Sequence, residues 1–224
     1  MIVAAPLPRR IAGIDVPQDD VSTSVWAWAH RSLPDYLLLH SIRVYCWGAS
    51  IGAGEGLVFD RRVLWAASLM HDFALTRIAR NTMCFEVEGA EFARRFLERH
   101  GLSAADSDRA AIAIILHMRP VVTIDDGAEA LLLDRATALD VRGEGYELGD
   151  AVRPEVMRVV PRGAFDRLFV AAIRREVAIR PTCQSARLLH RTGLEGWMDR
   201  SPWATAESVR RSLGRSPRQR PGRG

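Results

Sequence analysis

Leu69-Met70-His71-Asp72 closes an apolar helical stretch, and the rest of the chain is interpreted outward from it. The imidazole of His71 and the carboxylate of Asp72 are both good ligands for a divalent metal, and adjacent residues can reach one ion where a helix ends. A His-Asp pair alone is weak evidence. Further candidates flank it, since one histidine lies upstream and one aspartate far downstream. The ordered set of candidate residues is His40, His71, Asp72 and Asp140.

Apolar residues recur with helical periodicity along most of the chain, and glycine, proline and short polar clusters separate the periodic stretches. Strand signals are scarce, because the best of them, Val121-Val122-Thr123-Ile124, is too short to found a sheet. The pattern predicts an all-α fold without solenoid repeats. The predicted helices cover residues 21–30, 37–47, 62–71, 86–100, 110–117, 128–141 and 165–179.

Two local signals refine this prediction. Gly48, Gly52, Gly54 and Gly56 are expected to end the second helix in a loop, and no lysine or strand–helix context makes that loop a phosphate cradle. The cluster Asp106-Ser107-Asp108 is expected to precede the fifth helix as its cap.

Composition predicts one domain with two appendages. A chain of 224 residues with 48% hydrophobic content can bury one substantial core. We expect an N-terminal arm at 1–20, a helical domain at 21–200 and an Arg-rich, disordered tail at 201–224. Six arginines in the last fifteen residues account for the basic balance, since without them the net charge of +4 becomes −2.

The tail is interpreted as a solvated terminus, with contact to nucleic acid or anionic lipid as the alternative. No nucleic-acid partner is expected elsewhere, and a homo-oligomer is left open.

The cysteines and the apolar runs predict a cytoplasmic protein. Cys46, Cys84 and Cys183 are far apart and lack metal-ligand spacing, so we expect neither a disulfide framework nor a zinc knuckle. No apolar run reaches membrane-spanning length, and the start of the chain does not follow the order of a signal peptide.

Longer stretches of the chain resemble the cyanamide hydratase-like branch of the HD-domain metallohydrolases, over about residues 11–195. The resemblance implies an all-α HD-domain helical bundle around a single divalent metal held by the four ligands named above. Zinc is the expected ion, with iron, manganese or cobalt as alternatives. The turn Met118-Arg119-Pro120 departs from the branch. The matching stretches are Pro34-Asp35-Tyr36-Leu37, Ala66 to Asp72, Phe85-Glu86-Val87-Glu88-Gly89-Ala90, Ala113 to His117 and Asp140-Val141-Arg142-Gly143.

The chemistry of such a site agrees with this expectation. Zinc can lower the pKa of a bound water from 15.7 to roughly 7, which supplies hydroxide at neutral pH. That hydroxide can attack the carbon of a small nitrile-like or C–N-bonded substrate, as in the hydration of cyanamide to urea. The predicted function is therefore a metal-dependent hydratase or hydrolase of a small molecule.

Further residues are candidates for catalysis beside Asp72. His117 is expected to act as a general acid–base or to contact substrate. Arg43 is expected to pair with a site carboxylate or to hold an anionic substrate, and Glu86, with Glu88, to orient a ligand or water. Asp134 is rejected as a ligand, because it precedes Asp140 by six residues and falls on another side of the helix.

Three other functions compete with this one. An HD phosphohydrolase acting on a nucleotide monophosphate would need a basic pocket, for which Arg43, Arg77, Arg80 and Arg119 are available. A non-catalytic binding module would not need an intact ligand set. A di-iron oxygenase needs further histidines, and Phe85 stands where one would be expected.

Overall fold

The structure, a computed structural model, describes residues 6–76 and 83–203 except 192, 195, 197, 199 and 200. Arg77 and Arg80, two of the proposed pocket arginines, lie outside the described residues, as does residue 204 onward of the predicted tail. The described part is mostly helical, which confirms the predicted all-α class. Its helices are α1 Asp20–Ser32, α2 Asp35–Gly54, α3 Arg61–Met70, α4 Phe85–Arg99, α5 Ala104–Leu116, α6 Ala128–Arg142, α7 Arg153–Val159, α8 Phe165–Ile179 and α9 Gln184–Arg191.

Short elements connect these helices. Strands β1 (Arg10–Ile11) and β2 (Ile14–Asp15) form an antiparallel hairpin, and 3-10 turns cover Phe73–Thr76, Ile124–Asp126 and Tyr146–Gly149. The predicted arm is therefore partly ordered. Its hairpin is anchored by the Tyr45 hydroxyl, which donates to the carbonyl of Asp15 at 2.7 Å. Asp19 then caps α1 by accepting from the backbone N–H of Ser22 at 3.0 Å.

Helix α2 lies at the centre of the fold, packed against α3, α6 and α8. It is longer than predicted, because the glycines that were expected to end it permit close packing instead. A Cβ on Gly52 would lie 2.5 Å from the ring of Phe59 and 3.0 Å from the side chain of Leu132 on α6. A Cβ on Gly48 would lie 3.4 Å from the carbonyl of Leu132. Gly48 and Gly52 thus allow α2 to pack closely against its neighbours, and the helix ends at Gly54.

Other boundaries also differ from prediction. Helix α5 begins at Ala104, six residues before the predicted start, because the Ser103 hydroxyl caps it by accepting from the N–H of Asp106 at 3.1 Å. Helices α7 and α9 were not predicted, since each is too short to show a clear period. No helix among the described residues is long and apolar enough to span a membrane.

The start of the predicted tail packs on the helical body. Trp203 is buried, its ring stacks on Trp47 with centroids 5.9 Å apart, and its indole N–H donates to the carbonyl of Leu139 at 2.9 Å. Trp203, which was assigned to the tail, therefore belongs to the helical body.

The prediction of no disulfide is wrong. Cys84 and Cys183 are bonded to each other, and Cys46 is a buried free thiol. The pairing joins the residue that caps α4 to the residue before α9, which are 99 positions apart. Spacing could not reveal this, because the pairing depends on how α4 and α9 are placed in the fold.

The disulfide gives a direct prediction about thiols and stability. The denatured, unreduced protein is expected to show one reactive thiol per chain, and reduction should expose three. Because the bond closes a long loop, a Cys84→Ser, Cys183→Ser double variant should lose about 2–5 kcal/mol of unfolding free energy. Thiol titration and denaturant unfolding measure the two quantities. Three thiols without reductant would contradict the pairing.

Candidate metal centre

The side chain of His40 enters the centre of the fold from α2. Its Nδ1 lies 2.7 Å from a carboxylate oxygen of Asp140, so the ring donates a hydrogen bond there from Nδ1–H. The Nε2 of a neutral imidazole so oriented carries a lone pair. The ring itself is buried and stacks on Phe165 with centroids 4.5 Å apart. His40 therefore presents one fixed acceptor nitrogen.

His71 and Asp72 follow α3 directly, as predicted for the end of that helix. His71 Nδ1 lies 2.8 Å from the backbone carbonyl of Ser68, one turn earlier, and donates to it. Its Nε2 consequently faces the Nε2 of His40 at 3.2 Å. The Oδ2 of Asp72 lies 3.3 Å from the His71 nitrogen and 3.5 Å from the His40 nitrogen, and it is buried without a hydrogen-bond donor.

Three buried acceptors thus converge on one point, which is the arrangement that a cation requires. Ligand atoms at about 2.1 Å from a tetrahedral ion lie roughly 3.4 Å from one another, and the three observed spacings run from 3.2 to 3.5 Å. The residue types are borderline donors that suit zinc and other first-row divalent ions. The residues present therefore fit a divalent metal.

Burial and the neighbouring charged groups set the pKa values of the cluster residues. Burial lowers the pKa of His40, and the Asp140 hydrogen bond opposes this only in part. Burial also acts downward on His71, but the charge of Asp72 outweighs it and the pKa of His71 is raised. Burial acts upward on Asp72, yet the neighbouring histidines hold its pKa below the usual range.

Asp140 is placed differently from the predicted fourth ligand. It is fully buried behind His40, where one oxygen accepts from Arg43 Nε and the Trp47 indole, both at 2.8 Å. The other oxygen accepts from Arg43 Nη2 at 2.8 Å and from His40 at 2.7 Å. Among the described residues, the side chains that converge to ligand distance are His40, His71 and Asp72. In this placement Asp140 orients His40, and its assignment as a fourth metal ligand stays a prediction.

Arg43 holds the carboxylate of Asp140 in place. Its guanidinium is fully buried, pairs with Asp140 through two nitrogens, and donates from Nη1 to the carbonyl of Pro161 at 3.0 Å. Of the two predicted roles, the structure shows the carboxylate pairing. A substrate anion has no access to this group.

His117 lies at the edge of the cluster and is buried. It ends α5, and its Nδ1 donates to the carbonyl of Ile114. Its Nε2 faces Asp72 Oδ1 at 3.7 Å, and its ring makes edge contacts with His71 and Phe85. The described structure therefore gives this ring one uncommitted nitrogen beside the candidate metal position.

Glu86, predicted to orient a ligand or water, is placed elsewhere. It is buried near the start of α4, does not line the cavity described below, and has one oxygen without a hydrogen-bond partner. Burial raises its pKa. Its neighbour Glu88 accepts from Arg180 at 2.8 Å. Glu86 therefore lies outside the cavity lining, and its role in orienting a ligand or water stays a prediction.

A cavity of about 570 Å³ opens in front of the cluster. Helices α8 and α9 and the turn after α5 complete its walls. One wall is α6, which presents Asp134, Thr137 and Val141 at helical spacing. Asp134 lies on another side of α6 from Asp140, and that side faces the cavity. The remaining lining residues are Met118, Arg119, Pro120, Arg142, Glu144, Phe169, Gln184, Arg187 and Leu188.

Comparison with known families identifies the framework of this site. Residues 37–142 match the family model of the HD domain. The chain contains an HD domain over those residues. HD-domain proteins are typically metal-dependent hydrolases, and the buried His40, His71 and Asp72 cluster lies within the matched segment. A search of curated proteins found no significant match, so the cyanamide hydratase-like branch remains a resemblance.

The HD domain runs from the first turn of α2 to the end of α6. It therefore supplies the whole cluster, the anchor Asp140 and the neighbouring His117. The residues that α8 and α9 contribute to the cavity lie beyond its end.

The different roles of Asp72 and Asp140 can be tested through the stability of the metal-free protein. Asp140→Ala leaves the buried Arg43 without its carboxylate, so we expect a loss of about 3–5 kcal/mol in unfolding free energy. Asp72→Ala removes an acceptor whose Oδ2 has no donor, so its loss should be clearly smaller. Both variants should bind metal more weakly. Denaturant unfolding and metal analysis provide the test, and equal stability losses would contradict the two assigned roles.

Proposed function

We propose that this protein is a metal-dependent hydrolase that cleaves a small phosphate monoester of about nucleotide size. The observation that carries the proposal is the convergence of three buried acceptors at the closed end of a cavity with cationic groups at its open end. Zinc is the ion we propose for the cluster, because two imidazoles and one carboxylate are a common set for it. A bound divalent metal would supply a water of lowered pKa and polarise the reacting group.

The cavity favours a substrate of moderate size. Its volume of about 570 Å³ falls within the range of roughly 300–1,000 Å³ that small-molecule sites occupy. A nitrile of a few atoms would fill little of this space. Charged residues line the cavity together with apolar ones such as Phe169 and Leu188, which suits a molecule with one charged and one less polar part.

The charges at the cavity support an anionic substrate. Arg119 and Arg187 are exposed, line the cavity, and have no carboxylate partner among the described residues. Arginine binds phosphate through paired N–H groups, so these two side chains supply the contacts that a phosphate ester needs. Arg43 was expected to take this part, and its burial leaves the task to the exposed arginines.

The residues around the cluster would divide the work of hydrolysis. Asp140 fixes the His40 ring, and the carbonyl of Ser68 fixes the His71 ring, so both Nε2 atoms are held toward the metal position. His117 donates from Nδ1 to Ile114, so its Nε2 is the nitrogen that can accept a proton from the attacking water.

Hydration of a small nitrile-like molecule is the second candidate. It is favoured by the presence of one such cluster among the described residues and by Phe85, whose ring lies beside His117 with centroids 5.9 Å apart and cannot ligate a second ion. The resemblance of the Phe85 to Ala90 stretch to cyanamide hydratases points the same way.

A substrate screen separates the two candidates. Protein purified without chelator and loaded with one equivalent of zinc is expected to release phosphate from nucleoside monophosphates. Asp72→Ala is expected to release none under the same conditions. The same preparation is then offered cyanamide and other small nitriles. Urea formation without phosphate release would replace the phosphohydrolase proposal with the hydratase.

His117 gives a sharper test of the proposed proton acceptor. His117→Ala should retain the metal content of the wild type and lose about 100-fold or more in turnover, the usual contribution of a general base. His117→Gln is the matched control for shape, because it fills the space without accepting a proton at neutral pH. Metal analysis and steady-state kinetics decide the matter. A variant that loses its metal would show that His117 is a ligand.

A further inference from the structure

Asp134 is an acidic group of the cavity that belongs neither to the metal cluster nor to an ion pair among the described residues. It lies on α6, is partly buried, and lines the same cavity as the cluster and His117. No described residue donates a hydrogen bond to its carboxyl group. The other carboxyl groups that line the cavity are committed, since Asp72 belongs to the cluster and Glu144 accepts two hydrogen bonds from Arg142, at 2.6 and 2.7 Å.

The charges that face Asp134 come from three elements. Arg135 and Arg142 share its helix, Glu144 follows that helix, and His117 ends α5. The two arginines favour the ionised form, but each is held by a glutamate: Arg142 by Glu144 and Arg135 by Glu55 at 2.6 and 2.7 Å. Burial outweighs them and raises the pKa of Asp134 to about 6. A carboxyl group in this state can hold and release a proton near neutral pH.

We propose that Asp134 is a further catalytic residue, the general acid that protonates the leaving group of the substrate. The inference rests on the proposed hydrolysis of a phosphate monoester. Asp134 and His117 face one cavity from different helices, α6 and α5. Two groups that accept and donate different protons must be separate side chains that reach the same substrate. His117 takes a proton from the attacking water, and Asp134 supplies one to the departing oxygen.

The proposed step balances as follows. The oxygen of water forms a new bond to phosphorus and gives one proton to His117. The bond from phosphorus to the ester oxygen breaks, and its electron pair stays on that oxygen. Asp134 transfers its carboxyl proton to the same oxygen, so the products are an alcohol and inorganic phosphate. The Asp134 carboxylate then regains a proton from solvent, and His117 releases one.

Leaving-group dependence tests the role of Asp134 directly. An alkyl phosphate such as glycerol phosphate needs a proton on its leaving oxygen, whereas p-nitrophenyl phosphate departs without one. Asp134→Asn keeps the shape of the side chain but has no acid proton. We expect it to lose about 100-fold or more in kcat on the alkyl ester and little on the nitrophenyl ester. Equal losses on both substrates would overturn the proposal.

A matched control excludes a general effect of removing a carboxylate. Asp108→Asn changes an exposed aspartate on α5 that does not line the cavity. It should leave both esters at wild-type rates. Metal analysis of Asp134→Asn should show wild-type content, because Asp134 is not in the cluster.

A titration provides a readout that does not depend on turnover. Carboxyl carbon NMR of the metal-free protein, assigned with Asp134→Asn, should show Asp134 titrating near pH 6, and inorganic phosphate should shift that resonance. A titration near the ordinary value of about 3.9, or no response to phosphate, would overturn the assignment. If the wild type hydrolyses no phosphate ester, the proposed function fails, and the NMR result still decides whether Asp134 can supply a proton in this cavity.

Discussion

The carboxylate of Asp140 is the charge on which the arrangement of this protein depends. It is fully buried, and an unpaired carboxylate in that position would cost several kcal/mol. Three residues of α2 prevent this, because His40, Arg43 and Trp47 all donate to it. They are three and four residues apart, so one face of α2 carries all the donors. Helix α6 is thereby fixed against α2 in register as well as in distance.

The same charge organises the C-terminal part of the chain. Arg162 donates to the backbone carbonyl of Asp140 at 2.5 Å, and its guanidinium lies over the rings of Phe165 and Trp203. Phe165 in turn stacks on His40. Buried charges, their donors and aromatic faces therefore form one continuous contact from α6 through the start of α8. The orientation of His40 is set from both sides, which is what a ligand requires if the lone pair is to be held in place.

The sequence was sufficient for those features that local pattern determines. Helical periodicity predicted α2, α3, α4, α6 and α8, and the end of an apolar helix predicted where His71 and Asp72 emerge. It was insufficient where the answer depends on which helices meet. Whether Asp140 faces the metal position or the back of His40 depends on the pairing of α2 with α6, and Arg43 and Trp47 decide it. Gly52 was predicted to end the helix because the sequence alone does not show that Phe59 packs against it.

Asp134 and the disulfide were missed for the same reason. A six-residue separation correctly put Asp134 on a different side from Asp140, but the inference that this side is exposed required knowledge of the cavity. The spacing of Asp134, Thr137 and Val141 was a usable signal, since it marks one face with a polar and an apolar part. No comparable signal existed for Cys84 and Cys183, because their separation of 99 residues carries no information about contact.

The disulfide connects two parts of the site that different segments of the chain supply. The cluster belongs to the HD domain, residues 37–142, whereas Phe169, Gln184 and Arg187 reach the cavity from α8 and α9. Cys183 immediately precedes α9, and Cys84 precedes Phe85, which contacts His117. The bond therefore fixes the start of α9, whose Gln184 and Arg187 line the cavity, relative to Phe85 beside His117. Because α9 has only eight residues, its own helical stability is marginal, and this covalent anchor is what allows Gln184 and Arg187 to form a defined wall.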